Sequence, residues 1–142
     1  GMFSWLSQQD LSERDQKAAK DSFEAFRELV TRFPESRYAQ DARQRMTYIV
    51  NSLAQYEVHV ARYYYQRGAY VAAVARAQRA IADYDTVPAT EEALYILVKS
   101  YDALGLVQLR DDARRVLDTN YPGSTFITQG FKGEAKAWWQ LW

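Results

Sequence analysis

The sequence predicts an all-α fold in which antiparallel helix pairs stack into a short solenoid. Two observations carry this. Apolar residues recur at steps of three and four along most of the chain, which keeps them on one helical face, and no segment of comparable length alternates with period two as a strand would. Only three prolines and six glycines interrupt 142 residues otherwise rich in Ala, Leu, Arg, Gln and Glu, all good helix formers.

Helices are expected at about 10–33, 37–66, 69–84, 90–104 and 108–120. The first carries Phe23, Phe26, Val30 and Phe33 on one face and stops at Pro34. The second runs long, with Ala42, Met46, Ile49, Leu53, Tyr56, Val60 and Tyr63 in step and nothing to break it. Gly68 ends it, and Tyr70, Val74, Ala77, Ile81 and Tyr84 line the third. Leu94, Leu97, Val98 and Tyr101 line the fourth up to Gly105, and Ala113 lies on the fifth. A seam this regular also suits a coiled coil. The glycines at 68 and 105 and the mixed Ala and Tyr positions fit short-turned antiparallel pairs better.

Three stretches repeat one another: "RFPES" at 32–36, "DYDTV" at 83–87 and "NYPGS" at 120–124. Each follows an amphipathic helix. In the middle unit Tyr64 precedes the Gly68 turn, Tyr70 opens the next helix, and Ala73, Ala77 and Ala80 let it lie close to its partner. This is the packing of a tetratricopeptide (TPR) repeat, a helix–turn–helix of about 34 residues. The expectation is a right-handed superhelix of about two and a half repeats over 1–124, with an aromatic C-terminal tail over 125–142. Asp85 stands where the motif usually has proline, and the spacing from Ala113 to Pro122 is shorter than standard.

Lys+Arg and Asp+Glu both number 18, so the formal charge is zero, which argues against nucleic acid as a partner. With no cysteine there is no disulfide framework and no thiolate metal site. No apolar run approaches the roughly 20 residues that span a bilayer. Gly1 before Met2 is expected of a chain cut from a longer protein, with any targeting signal upstream.

"DLSERDQKAAKDSFEAF" at 10–26, "FRELVTRFPESRYAQDARQRM" at 26–46 and "YEVHVARYYYQRGAYVAAVARAQRAIADY" at 56–84 resemble the C-terminal half of the BamD (ComL) family, the TPR lipoproteins of the outer-membrane β-barrel assembly machinery. The resemblance covers about residues 10–124, and the "YY-x-x-RGAY" pattern with its long preceding helix sets it apart from generic TPR units. It implies a non-enzymatic scaffold at the periplasmic face of the outer membrane. Its implied partners are the POTRA domains of the barrel-forming subunit BamA, accessory lipoproteins and unfolded outer-membrane segments. It also implies a signal peptide, a lipidated cysteine and further repeats, all upstream of this chain, and that this half is mainly the docking half. No cofactor is implied. Another periplasmic TPR adaptor, of the kind linked to envelope constriction and cell division, is the runner-up.

The reading from a different class is a hydrolase built on His59 or on an acidic pair, Glu91-Glu92, Asp111-Asp112 or Asp83-Asp85; a deep pocket around them would support it. A lone histidine without a second ligand is more simply structural, carboxylates such as Glu57 point to another side of its helix, and the acidic pairs sit where caps and turns use them. The arginines are the better candidates, since their flat fork of donors suits partner carboxylates. Arg62 and Arg67 lie on the first helix of the middle repeat and Arg76 and Arg79 on its second. The resemblance singles out Arg76, on the helix that faces the barrel-forming subunit, and also matches Arg67, whose position suits capping its own helix. Charge reversal at Arg76 is expected to weaken partner binding with helix content intact. Among Tyr63, Tyr64 and Tyr65, the first two are expected to pack and Tyr65 to lie nearer the concave surface. In "AKAWWQLW", Trp138 and Trp142 share a helical face beside Leu141, with Trp139 to one side. This tail is expected to cap the solenoid or to dock a partner, and Gly130 and Gly133 suit an arm.

Overall fold

The computed structural model describes residues 13–85 and 87–131. Among these residues six helices follow in order: α1 (Glu13–Arg32), α2 (Ala39–Gln66), α3 (Tyr70–Asp83), α4 (Val87–Ala103), α5 (Val107–Asn120) and the single turn α6 (Phe126–Gln129). Among the described residues there is no strand. Each of α1 to α4 packs on the next, α2 also packs on α4, and α6 packs on α4. Pairs α2–α3 and α4–α5 are thus two stacked hairpins in a TPR-like arrangement, with α1 against α2 as half of another.

The two hairpin turns are built alike. Gly68 (φ 78°) and Gly105 (φ 74°) take the left-handed conformation that β-carbons disfavour. Around Gly68, the N–H groups of Ala69 and Gly68 donate to the carbonyls of Tyr64 and Tyr65 at 2.9 and 3.0 Å. Around Gly105, Leu106 and Gly105 donate to Tyr101 and Asp102 at the same distances. Both are Schellman closures, which satisfy the last carbonyls of a helix and reverse the chain at once.

The α4 helix begins at Val87, three residues before the start the sequence suggests. Pro88 falls in its first turn, where a missing N–H costs nothing and the fixed φ suits the helix. Nearly all of α4 from Ala89 to Tyr101 is buried, because α2, α3 and α5 all pack on it. The core joins Ala54, Val58 and Ala61 of α2 to Ala73, Ala77 and Ala80 of α3 and to Ile96 of α4 and Leu117 of α5. The alanines bring the backbones of α2 and α3 close. The α1 end is more open: Phe23 and, on α2, Met46 and Val50 line a shallow groove of about 350 Å³.

Phe126 and Phe131 lie beyond the boundary expected at 124, yet both pack into the same core at 6% and 5% exposure. Phe126 stacks on Tyr95 and Phe131 meets it edge to face, with ring centroids 5.2 and 4.9 Å away.

Candidate functional site

The C-terminal half of α2 is buried on two sides, by α3 and by α4. Glu57 falls there, among Leu53, Ala54, Val60 and Ala61, and is 3% exposed. A carboxylate removed from water needs charged or hydrogen-bonding partners. They come from α3, where Arg76 and Arg79 flank the alanine stripe that touches α2. Arg76 donates from Nη1 to Oε2 of Glu57 at 3.2 Å, and Arg79 Nε lies 3.9 Å from Oε1. Arg79 Nε is also 4.0 Å from Asp83. Tyr84 follows at the end of α3. Partial burial, then the charges of Glu57 and Asp83, raise its phenol above the ordinary value of 10.0, against the opposing pull of Arg79.

Both guanidinium groups still reach solvent, with side chains 31% exposed for Arg76 and 53% for Arg79. Arg76 spends one of its several N–H donors on Glu57, and the remainder have no other partner among the described residues. The arrangement holds two cations over one anion. Asp83, exposed and at the limit of pairing distance, screens it weakly. Such a site can accept a further carboxylate.

A second charged contact ties α2 to α4. Arg62 donates from Nε to Glu92 at 2.8 Å, and its guanidinium carbon sits 5.4 Å from the Phe131 ring centre. Tyr65 lies 5.9 Å from the same ring and 5.6 Å from Tyr70.

The structure therefore brings Arg76 and Arg79 together on Glu57 and commits Arg62 to an internal pair. Arg67 closes α2 through its backbone N–H, 3.2 Å from the Tyr63 and Tyr64 carbonyls, and its guanidinium lies over the Tyr63 ring at 4.4 Å. Tyr63 and Tyr65 exchange the places expected of them: Tyr63 is 47% exposed, while Tyr65 is half-buried beneath Phe131. The cause is the segment after α5, which returns across α2 and α4 and cannot be read from α2 alone. Trp138, Trp139 and Trp142 lie outside the described residues. His59 is half-buried, and the groove near Phe23 is lined by neither His59 nor an acidic residue. Among the described residues no group of three or more His, Cys, Asp or Glu side chains is placed to hold a metal.

Glu57 and Glu92 were not singled out by sequence reasoning as partners of these arginines. The signal was available. Each carboxylate interrupts an apolar stripe, with Leu53, Ala54, Val60 and Ala61 around one and Ala89, Ala93, Tyr95 and Ile96 around the other. A lone charge on a buried face requires an opposite charge from a neighbouring helix.

Stacked hairpins with half-exposed arginines over a buried carboxylate define a TPR-like repeat protein whose helices are tied by charged pairs. The family model YfiO, described as an outer membrane lipoprotein, matches residues 1–117, and the chain belongs to this YfiO/BamD family. Outer membrane protein assembly factor BamD of Neisseria meningitidis is 48% identical over 137 residues, covering 96% of this chain and 51% of the relative. BamD of Xylella fastidiosa is 42% identical over 118 residues (83% and 40%), and BamD of Haemophilus influenzae is 35% identical over 111 (78% and 42%). The chain spans about half the length of the curated relatives it matches. Among the described residues no helix is long and apolar enough to cross a membrane.

Proposed function

We propose that this chain is the partner-docking half of a non-enzymatic scaffold in outer-membrane β-barrel assembly, working at the periplasmic face of that membrane. The observation that carries this reading is the Arg76–Arg79 pair, presented on α3 over the buried Glu57. Family membership and the relatives' name, outer membrane protein assembly factor, support the setting. The outward donors that Arg76 does not spend on Glu57 fit a carboxylate on the POTRA domains of the barrel-forming subunit. Arg67, exposed beside the equally exposed Tyr63 at the hairpin turn, extends this face with an aromatic and cationic surface.

Accessory lipoproteins and unfolded outer-membrane segments are further partners of the assembled protein, which a lipid anchor would hold to the membrane. Trp138, Trp139 and Trp142 supply a second protein contact, because tryptophan is enriched among the residues that carry binding energy at protein interfaces. Calorimetric titration of the POTRA domains against the chain, with and without residues 132–142, tests both points. Binding by the full chain and weaker binding by the truncated one supports the scheme. No heat and no co-migration with the full chain contradicts docking; equal affinities contradict the tail contact.

A further inference from the structure

We propose that Glu57 is a positioning residue: buried between α2 and α3, it fixes the Arg76 guanidinium at the surface so that its remaining donors face a partner carboxylate. This inference rests on the docking reading above and assigns a role to a residue that no partner touches. At 3% exposure the Glu57 carboxylate is out of reach of any docked protein, so its effect on binding must pass through Arg76.

Three features suit it to that task. Its backbone is locked, because Ala54, Val58 and Ala61 beside it are fully buried in the α2–α3–α4 core. It holds Arg76 by one edge only, through the single Nη1 contact at 3.2 Å, which leaves the other edge of the fork open for a two-pronged carboxylate contact. The second cation, Arg79, is shared at 3.9 and 4.0 Å between Glu57 and Asp83 and is held more loosely, so Arg76 is the closer partner of the buried carboxylate. An arginine free in solvent would lose its side-chain freedom on docking; one already fixed has little left to lose.

The electrostatic sign separates this role from simple attraction. Glu57 is negative, so its charge slightly repels an acidic partner at long range. Removing that charge should leave encounter as fast or faster. Losing the aim of Arg76 should instead show in dissociation, where contact quality is read.

The test uses the 142-residue chain, the POTRA domains as probe, and two variants. Glu57→Gln keeps the shape and an acceptor oxygen but not the charge; Arg76→Gln removes the docking fork. For Glu57→Gln the expected result is dissociation about tenfold faster with association not slowed, together with faster water exchange of the Arg76 Nη–H protons by NMR in the free chain. A merely structural role would lower the melting temperature without moving the dissociation rate of the folded fraction. If Arg76→Gln binds as wild type, the docking reading itself fails. If Arg76→Gln weakens binding while Glu57→Gln leaves both the dissociation rate and the Nη–H exchange at wild-type values, docking stands and the positioning role is overturned.

Discussion

Arg76 on α3 donates to the buried Glu57 on α2 at 3.2 Å, so the arginine proposed for docking is also a counterion of the fold. Charge reversal at Arg76 is therefore not the neutral probe that the sequence suggests. Arg76→Glu sets two carboxylates against each other with only the looser Arg79 between them. The expected cost is about 1–3 kcal/mol, below that of a fully buried pair because Arg76 keeps solvent contact. Chemical denaturation measures it, and an unchanged midpoint would show that the pair is energetically idle.

Ala73 and Ala77 are fully buried where α3 crosses α2. Leucine at either position has no space without moving a helix. Ala73→Leu and Ala77→Leu should each destabilise by about 1–3 kcal/mol. Wild-type melting temperatures would mean that the helices separate freely, against a close-packed crossing.

The two Schellman turns predict matched losses. No neighbouring atom lies within 4 Å of a β-carbon built on Gly68 or Gly105, so substitution there meets only the left-handed backbone. Gly68→Ala and Gly105→Ala should each cost about 1–2 kcal/mol. Larger losses, or very unequal ones, would indicate contacts other than backbone conformation.

Tyr84 sets an alkaline limit. Its phenol is raised in the folded state by burial and by Glu57, so the folded chain holds this proton more tightly than the unfolded chain does. Its contribution is complete below the ordinary value of 10.0 and is lost as pH climbs from there through the raised value. Stability should fall in that range, and Tyr84→Phe should flatten this part of the decline. Denaturation midpoints measured between neutral and strongly alkaline pH give the comparison; parallel curves for the two proteins would contradict it.

The order and type of the main helices were legible because their apolar steps and glycine stops are local. Gly68 and Gly105 mark hairpin turns wherever they occur in such a pattern. The second apolar stripe of α2, Ala54, Val58 and Ala61, was harder to see. Its small residues are overshadowed by the larger Met46, Ile49 and Tyr56, which stay half-buried. That stripe decides what surrounds Glu57, so the ion cluster escaped notice although Arg76 and Arg79 did not. The burial of Tyr65 depends on Phe131, which lies more than sixty residues further along the chain; helical spacing carries no information about that return.

The central claim is that Arg76 docks a partner carboxylate. Its most direct test is calorimetric titration of the POTRA domains against the chain and its Arg76→Gln variant, at matched folded fraction and two salt concentrations. The account predicts at least about tenfold weaker binding for the variant and a shallower salt dependence, since a desolvated charge contact and its screening are both removed. Equal affinity and equal salt dependence in the two titrations would contradict it.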